Sequence, residues 1–330
     1  MPERVPSRRT SSRWRRSLTG FGVAAALALS AGAAAAQTLG VATMQPGTLN
    51  NTTATAIAKM IQQKMRMQAR LQPQAGESVL LPLVNNGEAD FGIANILEVV
   101  EAHEGTARAG KQSNLRVVAA IHPLRVAFFA RKDSGIKSVP DLKGKRVPLG
   151  FSAMRTIDSL AQAGLAAGGL TVDDVQPVLV PNVIRSADDF MSGAADVFFF
   201  AMGAGKVSEA DASVSGVRVV STPNTPEALA AAQKIFKYLY FSELAPRPGL
   251  TGVLEQVNIL TYDNLLVTST NVKEEVVYKL LDTLATSKAD LVATAPWLGE
   301  VSVEQYHKLY PVPYHPAAVR YFAEKNIAAK

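Results

Sequence analysis

The stretch "RVPLGFSAMRTIDSLAQAGLAAGG", residues 146–169, reads as a strand, a glycine turn and a helix. Val147, Leu149 and Gly150 close a short apolar run. The following residues carry helical spacing of apolar side chains, and Gly168-Gly169 end it. Arg155 falls in the first turn, where the helix dipole is already positive. It therefore needs a negative neighbour: a carboxylate such as Asp158, or a bound anion.

The same alternation extends in both directions. "TLGVAT" (38–43) is a strand, and after Pro46-Gly47 a helix follows with Ala54, Ile57, Ala58, Ile61 and Met65 on one stripe. "RLQPQ" (70–74) is a second strand, and a helix opens at Glu77-Ser78, with Pro82 early inside it. "ADFGIAN" (89–95) is a third strand. "LRVVAAI" and "LRVAFFAR" are two more, separated by a turn at His122-Pro123. Beyond residue 169, "QPVLV", a helix from Asn182 and "ADVFFFA" (195–201) continue the pattern. "APRPGLTG" breaks it, "VNILTYDNLLVTS" is a long apolar strand, and "KEEVVYKLLDTLA" is a clear helix. Alternating strands and helices predict an α/β fold with largely parallel sheets. Two long strands flank the middle third. They predict two lobes, residues 37–130 plus 252–330 and an inserted 131–251, joined by two hinge strands.

Residues 1–36 stand apart. Six arginines make a basic start, "FGVAAALALSAGAAAA" (21–36) is a short apolar run, and Ala34 and Ala36 form an A-x-A cleavage site before Gln37. This predicts a signal peptide and a periplasmic mature protein, exported by the general or the twin-arginine route. Without it the chain has 28 basic and 27 acidic residues, so no basic field remains to suggest nucleic acid or a membrane surface. The absence of cysteine excludes disulfides, a thiol nucleophile and lipid attachment through cysteine.

The segment "SGIKSVPDLKGKRVPLG" (134–150) resembles the lobe-crossing signature of type II periplasmic solute-binding proteins. "NNGEADFGIAN" (85–95), "NLRVVAAIHP" (114–123), "VVYKLLDTL" (276–284) and "YPVPYHPAAVRYFAEK" (310–325) resemble one branch of these, the TAXI receptors of TRAP transporters. The resemblance covers nearly all of the chain after residue 37. It implies a two-lobe type II fold, each lobe a mixed, mostly parallel sheet flanked by helices. It further implies a monomeric receptor with no cofactor, no metal and no enzymatic activity. Such a receptor captures a small organic anion, such as glutamate, a dicarboxylate or an oxo-acid, and hands it to a fused TRAP permease. Three ligand-side loops depart from that branch: "QPGTLNN", "AGESVLL" and "FSAMRT".

In such folds ligands meet helix N-termini beyond the carboxyl ends of strands. Three turns fit: 47–51, 76–79 and 151–156. They make Thr48, Asn50, Gly76, Glu77, Ser78, Ser152, Arg155 and Thr156 candidate ligand contacts, with Asn95 and Met202 at strand ends. Thr48, Asn50 and Asn51 equally suit helix capping, and Glu77 equally suits a helix start. Arg125 and Arg185 lie near crevice edges. Phe199 reads as core, and Tyr314, Tyr321 and Phe322 as packing for the last helix. His122 and His315 read as structural, since the four histidines share no ligand spacing.

Other classes are weaker. Ser134 to Lys137 matches S-x-x-K but sits in a turn without K-T-G, and no G-x-S-x-G, H-E-x-x-H or P-loop is present. An ABC importer or a sensor for sulfonates, thiamine precursors or aromatic acids would use the same fold. A surface adhesin would show no stabilisation by small molecules.

Overall fold

A computed structural model of the protein describes residues 38–107 and 109–330. The leader assigned to residues 1–36 lies outside them. The elements run β1 (Thr38–Met44), α1 (Leu49–Met60), β2 (Gln68–Gln74), α2 (Glu77–Asn86), β3 (Phe91–Asn95), α3 (Ile96–Glu104) and β4 (Leu115–Arg131). Next come β5 (Arg146–Leu149), α4 (Arg155–Ala167), β6 (Gln176–Leu179), α5 (Val183–Met191), β7 (Val197–Ala201), α6 (Gly205–Ser213), β8 (Val217–Val220), α7 (Pro226–Gln233) and β9 (Tyr240–Leu244). β10 (Val257–Ser269), α8 (Glu274–Thr286), α9 (Lys288–Thr294) and α10 (Pro316–Glu324) complete the chain.

Eight strands form one sheet in the order β2-β1-β3-β10-β4-β7, with β8 also on β4 and β9 on β10. β1 pairs in parallel with β2 and β3, and β5 with β6 in a small separate sheet. Among the described residues every antiparallel pairing involves β4 or β10. Both are long, and both exchange partners part-way. β10 pairs with β9 over 257–261 and with β3 over 264–268. β4 pairs with β10 as far as Val126, where β7 joins it, and then with β8.

β4 corrects the sequence expectation of two strands with a turn between them, because it runs unbroken through His122 and Pro123. There β4 has β10 on one edge and β7 has not yet joined, a position where proline is tolerated. A bulge follows at Asn264/Leu265, opposite Ile121. The expected helix stripe is present: Ala54, Ile57, Ala58, Ile61 and Met65 are all buried. Tyr321 and Phe322 of α10 are buried in an apolar cluster with α1 and α8, and Tyr314 packs against it. A second cluster runs without interruption from Ala42 and Leu80 to Phe190 and Leu260. No helix of the described residues is long and apolar enough to cross a membrane.

Candidate functional site

Two adjoining spaces open where β4 and β10 change partners. The inner one is a tight compartment of about 30 Å³, walled by Leu124, Val126, Met154, Phe199 and Tyr262. Thr48, Asn50 and Glu77 supply its polar atoms. The outer one is a groove of about 580 Å³ off the free edge of β4, and the two share Leu49 and Leu124 as walls. The groove falls within the usual ~300–1,000 Å³ of small-molecule sites, whereas the compartment holds about two water-sized groups.

The polar groups of the compartment are spoken for. Thr48 caps α1: its Oγ1 accepts from Asn51 N at 3.2 Å and donates to Gln45 O at 2.7 Å. Asn50 Nδ2 donates to Glu77 Oε1 at 3.1 Å, and Asn50 Oδ1 accepts from Asn264 Nδ2 at 2.8 Å. Asn95 donates its backbone N–H to Glu77 Oε1 at 3.1 Å and its side-chain amide to Glu77 Oε2. Asn95 Oδ1 meanwhile caps α3 through Glu98 N at 2.8 Å. From Asn264 the network continues to His122 Nε2 at 3.2 Å. His122 Nδ1 then donates to Pro123 O at 3.0 Å. Thr53 Oγ1 lies 3.4 Å from the same Nε2 and accepts from Trp297 Nε1 at 2.8 Å. A buried chain of side chains thus joins Glu77 to the Trp297 wall of the outer groove.

Burial dominates the ionisation of this chain. It raises the Glu77 carboxyl to about 8, with the nearby Glu98 adding to the rise and the amides of Asn95 and Asn50 opposing it. Burial, then repulsion from Glu101, raises Glu98 to about 7. Burial lowers His122 to about 4, so its ring is neutral at pH 7 and accepts at Nε2.

The outer groove carries the charge. Arg125 NH1 pairs with Glu300 Oε2 at 2.5 Å, and Arg247 NH2 with Glu300 Oε1 at 3.0 Å. Two guanidinium groups therefore share one carboxylate. Arg125 Nε is buried and finds no partner among the described residues. Behind Arg125 lies a polar cavity of about 210 Å³ containing Asp263 and Lys308, which pair with each other at 2.6 Å. These five groups sum to one excess positive charge. The remaining walls are mostly apolar, including Pro123, Met202, Leu250, Pro296 and Trp297.

The candidates from the sequence are dispersed. Thr48, Asn50 and Glu77 reach the compartment, Met202 reaches the groove, and Asn95 stands behind Glu77. Gly76 and Ser78 dock on the facing turn, Ser78 Oγ donating to Ala153 O at 3.4 Å. Ser152 is exposed, and three donors of the 151–156 turn are taken: Ser152 N by Val180 O, Ala153 N by Pro181 O and Met154 N by Phe151 O. Arg155 and Thr156 line a separate depression of about 260 Å³ with Ser78, Glu98 and Glu101. Arg155 lowers the Glu101 carboxyl there, against the larger effect of burial. Its negative neighbour is thus Glu101, while Asp158 accepts from Gly150 N at 2.6 Å. Arg185 is exposed and pairs with Asp189 at 2.7 Å. His315 caps α10 and contacts Val272 O at 3.2 Å. No motif in the sequence marks Arg247, Trp297 or Glu300. The proline- and glycine-rich break around Arg247 was the one visible signal of a loop over the site.

This mixed sheet, with two long strands that change partners beside a cleft, is the type II periplasmic-binding-protein fold. The chain matches the NMT1-like family over residues 41–325 and belongs to it. Among solved structures it is similar to PhnD1 from Prochlorococcus marinus (MIT 9301), in complex with methylphosphonate. The TM-score is 0.55 at 11% identity, covering 88% of this chain and 99% of that one. The amino acid ABC transporter substrate-binding protein AbpA from Streptococcus pneumoniae, bound to L-arginine, aligns at TM-score 0.47 and 14% identity. It covers 80% of this chain and 94% of its own. The alkanesulfonate-binding protein SsuA from Xanthomonas axonopodis pv. citri, bound to MOPS, aligns at 0.45 and 14%, covering 87% and 83%.

Proposed function

We propose that this protein is an exported solute receptor that captures a small organic anion in the groove at Arg125 and delivers it to a membrane importer. One observation carries the reading: two guanidinium groups share a single carboxylate in an apolar-walled groove, so that among the described residues the positive charge there is only partly balanced. A carboxylate, sulfonate or phosphonate head would accept from the exposed parts of the Arg125 and Arg247 guanidinium groups, a geometry suited to arginine. The fold shared with a methylphosphonate-binding protein agrees with an anionic solute. The TRAP permease implied by the sequence resemblance is one partner. An ABC importer, the kind named for AbpA, is the other. Uptake driven by an ion gradient or by ATP in proteoliposomes separates the two, and the family match itself carries no TRAP assignment.

The test is a thermal-shift and calorimetric screen of organic acids, sulfonates and phosphonates. A true ligand at about 100 times its Kd adds about 2.7 kcal/mol of stability. Arg125→Ala is expected to weaken that ligand by roughly tenfold or more, as loss of a charge-assisted hydrogen bond worth ~1.5–3 kcal/mol requires. Arg155→Ala is expected to leave the affinity unchanged, because Arg155 lines a different depression. Anions that stabilise no more than neutral analogues would refute the reading.

A further inference from the structure

We infer that the solute carries one negative charge and an otherwise apolar body, and is an aliphatic or aromatic monoacid. Dicarboxylates and amino acids are excluded on this view. The inference rests on the anion-capture reading above and specifies its ligand. Away from Arg125, Arg247 and Glu300, the groove offers mostly apolar walls, with Trp297, Pro296, Leu250 and Met202 among them. The Trp297 indole N–H is already given to Thr53, so the ring presents only apolar surface.

Neither adjoining space offers a better anchor for a second polar group: behind Arg125, Lys308 and Asp263 pair with each other at 2.6 Å, and Tyr240 and Tyr310 also donate to Asp263. Thr48 is committed to capping, Asn50 uses both ends of its amide, and both oxygens of Glu77 accept from Asn50 and Asn95. A second carboxylate reaching the compartment would find no cation among the described residues that line it. An ammonium would have to compete with Asn50 and Asn95 for the Glu77 oxygens. Burying either unpaired is unfavourable, whereas each methylene placed against apolar walls is worth ~0.8 kcal/mol, about fourfold in affinity.

Hexanoate, adipate and norleucine share one carbon chain and differ only in the added carboxylate or ammonium; acetate has the head without the body. Calorimetry of the whole protein after leader removal is expected to rank hexanoate roughly tenfold or more above the other three. Leu250→Ser, in the loop over the groove, is expected to weaken hexanoate several-fold and leave acetate unchanged. If adipate or norleucine binds as tightly as hexanoate, or acetate matches it, the monoacid inference falls and anion capture stands. If no anion in the wider screen binds, or Arg125→Ala changes nothing, both fall together.

Discussion

Replacing Glu77 by glutamine is expected to remove a pH-dependent loss of stability of about 4–5 kcal/mol. The group ionises at about 8 when folded and near 4.5 otherwise. Between those values the folded chain holds one proton more than the unfolded chain. Stability therefore falls as pH rises through the window, by about 1.36 kcal/mol for each unit. The stabilising contribution is complete below pH 4.5 and gone above about 8. Glu98 acts in the same direction up to about 7. His122 acts oppositely: neutral when folded down to about 4 but protonated below 6.5 when unfolded, it costs stability as pH falls through that range. In the acid range His122 offsets one of the two carboxyls, so the net decline is steeper above the His122 window than within it. Urea melts of the parent and the Glu77→Gln variant at several pH values isolate the Glu77 share. The difference between them should narrow, then reverse or widen in the variant's favour, as pH rises. Curves that stay parallel would mean that Glu77 is ionised in the fold.

How much of this was legible beforehand differs by element. The βα turns were readable because each is local: Gly47, Gly76 and Gly150 precede helices that begin within a few residues. The continuity of β4 was not readable. His122-Pro123 looks like a break until one knows that β7 joins only at Val126. The helix Ile96–Glu104 is hard to see in the sequence because its cap, Asn95, also ends a strand, where an amide equally suits a ligand. Asn95 is fully buried behind Glu77, which accepts from its backbone and side-chain N–H groups. The charged groove depends on contacts such as Arg125 to Glu300, 175 residues apart, which no periodicity encodes. Arg155 illustrates the same limit. Its need for a negative partner was readable, and the partner's identity, Glu101 on another helix, was not.

Gly76→Ala is expected to hold the cleft open. Gly76 precedes α2 with φ −172°, extended backbone that any residue adopts, so only contact decides the outcome. A Cβ there would overlap the Ala153 carbonyl oxygen and come within 3.2 Å of Met154 Cγ. That carbonyl cannot yield locally, because Ala153 N is bonded to Pro181 O at 3.0 Å and Met154 N to Phe151 O at 2.9 Å. If residues 37–130 with 252–330 and residues 131–251 are two lobes hinged on β4 and β10, as we propose, they can part and relieve the overlap. Overpacking of this kind costs ~1–3 kcal/mol, which would fall on the closed form alone and weaken anion binding by roughly five- to 150-fold. Small-angle scattering should then give a larger radius of gyration than the parent, with little change in thermal stability. The opposite pattern is equally specific. An unchanged radius with about 1–3 kcal/mol of lost stability would mean that α2 and the 151–156 turn belong to one rigid body. In that case β4 and β10 would be ordinary core strands and not a hinge. The compartment of about 30 Å³ would then be too small ever to admit more than the end of a ligand.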